Sequence, residues 1–206
     1  FDQDFDQTHN PKRPLPSGSI SAQTVWILGS LELILGGIFL VMAAGCEKTW
    51  VFALIASVLF YDYIHKKWAG GIIIMGGCRF FLWLVAATAA GKSELAPQSL
   101  IWASVLASYI IGISWFARGE SRKKTEPVQY SIILLFSTPL MALALLVYWN
   151  QLDPIRVFLC NLTGLLVAWI AFSSILLMRE EKKGAIGQGV SRLLAGICAL
   201  DATALS

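Results

Sequence analysis

The sequence predicts an all-α protein, a polytopic bundle of transmembrane helices. Hydrophobic residues make up 56% of the 206 residues and charged residues only 14%, whereas soluble domains average about 25% charged residues. The apolar residues also fall into long stretches separated by short polar loops. Both features exclude an ordinary soluble domain and indicate an integral membrane protein.

Seven stretches have the length and composition of membrane-spanning helices. A helix needs about 20 mostly apolar residues to cross the hydrocarbon core, and the stretches that qualify are 22–44, 49–65, 70–91, 98–117, 128–148, 154–178 and 185–205. The periodicity of the apolar residues does not show which face of each helix is buried, because these segments are hydrophobic nearly all round. We therefore expect one transmembrane domain over residues 1–206.

Basic residues concentrate on one side of the predicted bundle. That side carries Lys12, Arg13, Lys66, Lys67, Arg118, Arg122, Lys123, Lys124, Arg179, Lys182 and Lys183, and the other side only Lys48, Lys92 and Arg156. Because cytoplasmic loops carry an excess of Lys and Arg, the basic side is predicted to face the cytoplasm, with the chain in a cell membrane such as the bacterial inner membrane. Membrane lipids are the expected surroundings. No nucleic-acid partner is indicated, since the basic residues lie in short loops beside spans.

The chain opens with the acidic stretch "FDQDFD". On a helix, Asp2 and Asp6 share one face because they are four residues apart. Two neighbouring carboxylates repel each other unless a cation lies between them, and Mg²⁺ commonly uses one or two carboxylates together with substrate phosphates. A solvated acidic helix end is the alternative. An EF-hand loop starting at Asp2 is excluded, because it would need Gly at Gln7 and Glu at Arg13.

The stretch "NPKRPLPSG" follows the acidic residues. Its prolines restrict the backbone and favour a stiff turn that presents Lys12 and Arg13. Carboxylates for a metal, followed by cations for the anion that the metal carries, are typical of a diphosphate site.

These two motifs together resemble the UbiA superfamily of intramembrane aromatic prenyltransferases. Its first motif is N-D-x-x-D-x-x-x-D, and "FDQDFD" is similar to its tail, with Asp2 and Asp6 as the last two aspartates. The next family segment is close to R-P-x-R-P-[IL]-x-S-G, which "NPKRPLPSG" matches with Asn10 in place of the first Arg. The resemblance implies nine helices, of which this chain would lack the first two, and a Mg²⁺-bound prenyl diphosphate.

The family's next element, Y-x-x-x-K, resembles "YDYIHKKW" in the second basic loop. The match places Tyr61 at the tyrosine and His65 at the lysine, with Lys66 directly after it. The resemblance implies that these side chains help to hold the diphosphate. A positive-inside anchor at the membrane surface is the alternative for the lysines, and a catalytic base is a further reading of His65.

The third basic loop, "ARGESRKKTEP", departs from the family pattern. The family has D-x-x-x-D here, whereas this loop contains no aspartate, and Glu120 is the nearest substitute. Either Arg118 and the lysines neutralise the diphosphate directly, with Glu120 tethering them, or the site binds an anionic lipid without chemistry. The departure puts a second Mg²⁺ in doubt.

Three ionisable residues are predicted to lie deep in the membrane: Glu32, Arg79 and Arg192. Such groups cost about 2.5–3.5 kcal/mol or more unless they are paired. Their similar depth predicts that Glu32 pairs with one arginine and leaves the other available. Arg79 is then expected to face a cavity and contact the acceptor or its carboxylate, the alternative being a charge cluster that locks the bundle. Asp201 is expected near the far interface.

Small and polar residues in the spans allow further expectations. The pairs Gly36/Gly37 and Gly76/Gly77 are expected to permit close helix packing. Asn161 is either a polar group of the cavity or an interhelical hydrogen-bonding residue.

Two functions from different classes remain open. The first is Mg²⁺-dependent transfer of a prenyl group from a prenyl diphosphate to an aromatic or other lipophilic acceptor. The alternative is a non-catalytic prenyl-lipid-binding or transport-associated membrane protein that keeps the fold. For the enzyme, the metal ligands are Asp2 and Asp6, the catalytic residues Asp2, Asp6, Arg13, His65 and Lys66, and the substrate-binding residues Lys12, Tyr61, Arg79, Arg118, Glu120 and Asn161.

Overall fold

Seven helices follow one another along the part of the chain that the computed structural model describes. This part comprises residues 6–8, 11–65, 68, 70–91, 94–122, 128–149, 153–179 and 184–205. The helices are α1 (Ala22–Met42), α2 (Lys48–Ile64), α3 (Gly71–Ala87), α4 (Pro97–Arg122), α5 (Val128–Trp149), α6 (Pro154–Arg179) and α7 (Ala185–Leu205). A 3₁₀ turn at Ala89–Gly91 follows α3, and residues 6–8 are also helical.

Each of the seven predicted spans is a helix, which confirms the all-α fold class. The largest differences are at α4, which continues to Arg122, and at α3, which ends at Ala87. By length and composition, three helical segments within the described residues are long and apolar enough to cross a membrane: Ala22–Met42, Pro97–Ala117 and Pro154–Arg179. Gly71–Ala87 and Ile132–Ala144 are shorter apolar helices.

Local chemistry fixes several helix starts. The Ser21 side chain caps α1 by accepting a hydrogen bond from the Thr24 amide at 3.1 Å. Asp153 caps α6 in the same way, through the Ile155 amide at 3.1 Å. Pro97 and Pro154 are the first residues of α4 and α6, a position that tolerates proline because its amide would have no helical partner.

The helices pack mainly against their neighbours in sequence, and α4 also packs against α7. The main core lies among α4, α5, α6 and α7, where Leu106, Tyr109, Val167 and Leu193 are fully buried. The Tyr109 hydroxyl donates a hydrogen bond to the Leu193 carbonyl at 2.9 Å, which ties α4 to α7. By contrast, the substantial contacts of α1 are with α2.

One member of each predicted glycine pair lies at a close helix contact. A Cβ on Gly76 would lie 2.9 Å from the Ala107 carbonyl oxygen of α4, whereas one on Gly77 would have nothing within 4 Å. A Cβ on Gly37 would lie 3.1 Å from a methyl group of Ile55, and one on Gly36 would be in open space. The expectation of close packing is therefore confirmed for Gly76 and Gly37.

The α1–α2 loop is held against the end of α3. The Ala90 amide donates to the Ala44 carbonyl at 2.8 Å, and the Glu47 amide donates to the Thr88 hydroxyl at 3.2 Å. These bonds fix the α1–α2 hairpin relative to α3 at one end of the bundle. The opposite end, where α1 begins and α2 ends, carries the sequence motifs.

Candidate functional site

An ion pair joins the acidic stretch to the proline-rich turn. Nη1 of Arg13 lies 3.0 Å from Oδ1 and 2.9 Å from Oδ2 of Asp6. The Asp6 side chain is 13% exposed and that of Arg13 is 58% exposed. The carboxylate is therefore largely enclosed, while much of the guanidinium faces outward and its other nitrogen donors can reach a second anion.

Backbone hydrogen bonds close the turn that presents Arg13. The Ser17 amide donates to the Arg13 carbonyl at 2.9 Å, and the Ile20 amide donates to the Pro14 carbonyl at 3.2 Å. Gly18 has a φ of 77°, a conformation that glycine adopts without steric cost. The turn leads into the Ser21 cap of α1, so the ion pair lies beside the start of that helix.

The residues that resemble the family's tyrosine and lysine lie together at the end of α2. The rings of Tyr61 and His65 stack with centroids 4.9 Å apart and an interplanar angle of 22°. Nδ1 of His65 is 3.2 Å from the carbonyl oxygens of Tyr61 and Asp62. A protonated Nδ1 would donate to these carbonyl oxygens, which only accept hydrogen bonds.

A cavity of about 580 Å³ lies among α1, α2, α3, α4 and α7. This volume is within the usual range for small-molecule sites, about 300–1,000 Å³. Its lining is apolar except for Glu32, Cys78, Arg79 and Ser114. A hydrocarbon chain suits such a lining, and the few polar groups can orient one end of a ligand.

Arg79 lines this cavity, as predicted, but its ion-pair partner is Asp201. Nη2 of Arg79 lies 2.8 Å from Oδ2 of Asp201, and the two side chains are 28% and 29% exposed. The expected pairing of Glu32 with an arginine is wrong, since no ion pair to Glu32 occurs among the described residues. The expectation that Asp201 lies near the far interface stays a prediction, and the pair shows that Asp201 faces Arg79.

Arg192 does not contribute to the cavity lining. Val190 and Leu194 of α7 do so, and Arg192 lies two residues from each of them, on the other side of the helix. Its side chain is exposed. Neither Arg79 nor Arg192 forms an ion pair with Glu32 among the described residues, so the expectation that Glu32 pairs with one of them and leaves the other available is wrong.

Asn161 lies in α6, outside the cavity lining. Its Nδ2 donates to the Val157 carbonyl of the same helix at 2.7 Å. The geometry thus shows an intrahelical bond for Asn161, and its predicted contact with substrate stays a prediction.

Several predicted site residues fall outside the part of the structure that can be described. Asp2 and Lys66 are among them, and for Arg118 and Glu120 only the backbone, in the last turns of α4, is described. Lys12 is exposed in the proline-rich turn.

The donor chemistry at Asp6 fits Mg²⁺, although the described residues contain no group of three or more His, Cys, Asp or Glu side chains placed to hold a metal. Mg²⁺ often takes one or two carboxylates and completes its shell with water and phosphate. An ionised carboxylate has about four acceptor sites, so one carboxylate can accept hydrogen bonds from a guanidinium and bind a metal ion at the same time.

Sequence reasoning missed the role of Asp201 and the polar lining residues Cys78 and Ser114. The sequence did contain a clue to the role of Asp201: an arginine inside a membrane, such as Arg79, almost always pairs with another group, and Asp201 is an acidic residue in another span. No comparable signal marks Cys78 or Ser114, whose residue types are common in packed transmembrane helices.

Fold and site together define a polytopic helical membrane protein with an apolar cavity and a charged motif where α1 begins. The sequence matches the UbiA prenyltransferase family over residues 1–187. The chain belongs to this family, which confirms the resemblance seen in its motifs.

A relative supports the same assignment. Over 109 residues the chain is 32% identical to protoheme IX farnesyltransferase from Afipia carboxidovorans, a match that covers 49% of this chain and 34% of that protein. The chain thus matches about a third of the relative's length. No solved structure matches the chain.

Proposed function

We propose that this protein transfers a prenyl group from a prenyl diphosphate to an aromatic or other lipophilic acceptor within the membrane, with Mg²⁺ at the diphosphate. The observation that carries the proposal is the ion pair between Asp6 and Arg13, in which Arg13 belongs to a closed turn before α1. An apolar cavity bordered by α1 and α2 provides space for the prenyl chain. Family membership and the farnesyltransferase relative support prenyl transfer in general.

The charged motif would bind and neutralise the diphosphate. Arg13 holds the Asp6 carboxylate at 2.9 Å, and its outward-facing donors would bind phosphate oxygens. Asp6, with Asp2, would hold Mg²⁺, which supplies positive charge against the departing diphosphate. His65 and the neighbouring Lys66 would bind oxygens of the same anion. In this proposal the motif faces the cytoplasm of a bacterial inner membrane.

The apolar lining would protect the reacting carbon. The bond between the first prenyl carbon and the diphosphate oxygen breaks, and its electron pair leaves with the diphosphate. The allylic cation that remains reacts readily with water, so a cavity lined by side chains such as Leu54, Val58 and Ile113 favours transfer to the acceptor over hydrolysis.

One observation favours a second candidate function, a prenyl-lipid binder without chemistry. The stretch "ARGESRKKTEP" contains four basic residues and no aspartate, so it lacks the two aspartates that the family has at this position. A basic loop of this kind would hold an anionic lipid headgroup by charge alone.

Release of diphosphate tests the proposal against this alternative. The protein is reconstituted with a total membrane lipid extract and geranylgeranyl diphosphate, with and without Mg²⁺. We expect metal-dependent release that falls at least 100-fold in Asp6→Ala. Glu94→Gln, at an exposed carboxylate on the far side of the bundle, is the matched control and should retain activity. Binding of the prenyl diphosphate without release, equal in wild type and Asp6→Ala, would establish the lipid binder instead.

A further inference from the structure

A second cavity, of about 620 Å³, lies along the α1–α2 hairpin. Within the described chain, its lining comes only from α1 between Ser30 and Met42 and from α2 between Lys48 and Leu59. The lining side chains Ile34 and Phe52 are 59% and 75% exposed, so this outer groove is open to the surroundings of the bundle. The cavity assigned above to the prenyl chain is also bordered by α3, α4 and α7. The outer groove is therefore a distinct site.

The outer groove has about the length of one lipid leaflet. Along α1 it runs from Ser30 to Met42, which is about 18 Å at the rise of an α-helix. The hydrocarbon core of a bilayer is about 30 Å thick, so one leaflet contributes about 15 Å. Ser30 lies near the middle of α1, and Met42 is its last residue. An acyl chain that starts at the membrane surface beside Met42 would therefore follow the whole groove to the bilayer centre.

One cation lies at the surface end of the outer groove. Lys48 is the first residue of α2 and, among the described residues, the only charged residue that lines the groove. It is exposed and forms no ion pair within the described part of the chain. The neighbouring Glu47 lies outside the groove lining, and its carboxylate accepts a hydrogen bond from the Thr49 hydroxyl at 3.2 Å. The ammonium group of Lys48 can therefore bind an anion at the level of the lipid headgroups.

These features match the chemistry of an anionic phospholipid. Apart from Ser30 and Lys48, the described lining of the groove carries no polar side chain, and an acyl chain gains more van der Waals contact in such a groove than on a convex helix surface. The phosphate group complements the charge of Lys48. A zwitterionic headgroup carries its own cation, so an anionic lipid is attracted more strongly to a lysine at the membrane surface.

We propose that the outer groove binds one anionic phospholipid, with an acyl chain between α1 and α2 and the phosphate group on Lys48. The lipid would cover a face of α1, a helix without a buried residue. The site lies at the end of the hairpin opposite the Asp6–Arg13 pair, so it is separate from the proposed diphosphate site. The inference goes beyond the transferase function and holds whether or not the protein transfers prenyl groups.

Native mass spectrometry of the purified protein tests the site. The delipidated protein in detergent is titrated with palmitoyl-oleoyl-phosphatidylglycerol, which is anionic, or with the corresponding phosphatidylcholine, which is zwitterionic. We expect one phosphatidylglycerol to bind with about fivefold higher affinity than phosphatidylcholine, the factor that one lysine contributes at an anionic membrane surface. Inorganic phosphate in excess should not displace the lipid, because it has no acyl chain to contact the groove.

Two pairs of variants separate the charge of the site from its shape. Lys48→Gln should reduce the preference for phosphatidylglycerol to less than about twofold, because the cation is lost. Arg156→Gln removes another exposed cation, on the same predicted side of the membrane and outside the groove, and should keep the preference. Ile34→Trp fills the groove and should weaken both lipids. Ile27→Trp changes an equally exposed isoleucine of α1 outside the groove and should weaken neither.

Four results would overturn the inference. Equal affinity for the two lipids, or an unchanged preference in Lys48→Gln, would exclude the phosphate contact. Unchanged affinity in Ile34→Trp would place the lipid elsewhere on the bundle. A dimer that Ile34→Trp dissociates would show that a second copy of the chain occupies the groove, and failure to bind either lipid would exclude a lipid site. Thermal unfolding of each variant shows whether the fold is retained.

Discussion

Helices α1 and α4 offer the clearest contrast in the molecule. Both contain a 21-residue apolar segment, Ala22–Met42 and Pro97–Ala117. The segment in α1 is the more hydrophobic, yet none of its residues is buried, whereas half of an 18-residue window of the segment in α4 is buried. Hydrophobicity in a membrane protein therefore indicates that a helix can lie in lipid. It does not indicate which helices pack together, because lipid tails are as apolar as a leucine side chain.

The difference in burial between α1 and α4 follows from where small residues lie relative to neighbouring helices. In α4, Ala103 is fully buried, and Gly112 approaches Leu135 of α5 closely enough that a Cβ would lie 3.2 Å from it. Small residues at helix contacts let backbones approach and gain van der Waals contact. In α1, Gly29 and Gly36 have open space around them, and Gly37 is the glycine of this helix that lies close to a neighbour, Ile55 of α2.

The largest expected change in the free energy of unfolding comes from removing a paired carboxylate, and an unpaired carboxylate provides the comparison. Asp201→Leu leaves Arg79 without its ion-pair partner and should lower the free energy of unfolding by about 3 kcal/mol, the low end for a broken buried pair because both side chains are partly exposed. Glu32→Gln should change it by less than about 0.5 kcal/mol or stabilise the protein slightly, since no ion pair is lost. Unfolding in mixed detergent micelles, followed by tryptophan fluorescence, measures both.

The double variant Arg79→Met/Asp201→Leu is the control for this comparison. It removes both charges, so it should recover most of the stability lost in Asp201→Leu. Equal destabilisation in Asp201→Leu and Glu32→Gln would contradict the pairing that the structure shows.

The second comparison uses one leucine from each helix. Leu106 in α4 is 0% exposed and Leu35 in α1 is 54% exposed. Leu106→Ala should cost about 2 kcal/mol, because it leaves a cavity among packed helices, whereas lipid can fill the space left by Leu35→Ala. The same unfolding assay measures the difference, and equal costs would mean that α1 is packed as tightly as α4.

A third, smaller effect compares adjacent glycines of α3. Gly76→Ala places a Cβ 2.6 Å from Ile111 and 2.9 Å from the Ala107 carbonyl oxygen, so it should destabilise the protein by about 1 kcal/mol through overpacking. Gly77→Ala meets nothing within 4 Å and should be neutral or slightly stabilising, because alanine favours helix. Thermal unfolding of the two variants in one detergent compares them directly, and the opposite order would place the α3–α4 contact on the other face.

The smallest effect concerns the buried hydroxyl that ties α4 to α7. Tyr109→Phe removes the 2.9 Å hydrogen bond to the Leu193 carbonyl. The expected loss is about 0.6 kcal/mol, the average for side-chain hydrogen bonds between membrane helices. A loss above about 2 kcal/mol in the same assay would show that this bond contributes far more than an ordinary one.

The candidate site was predictable only in part. The motif "FDQDFDQTHNPKRPLPSG" marks Asp6 and Arg13 as neighbours in sequence, but a spacing of seven residues does not show that they form an ion pair. The closed turn between Arg13 and Ile20, which presents Arg13, is held by backbone hydrogen bonds, which the residue types alone do not reveal. The proximity of His65 to Tyr61 is easier to predict from the sequence, since residues four apart on a helix are neighbours.

The sequence by itself determined the number and order of the helices in the described chain and several of their starts, because about 20 apolar residues span a membrane and residues such as Ser21 and Pro154 favour helix starts. Only the tertiary structure decided which faces meet: that Arg79 pairs with Asp201, that Gly76 and not Gly77 contacts α4, and that Glu32 faces the same cavity as Arg79. The physical reason is that lipid and neighbouring helices are equally apolar surroundings. A transmembrane sequence therefore shows little difference between the side of a helix that faces lipid and the side that faces protein.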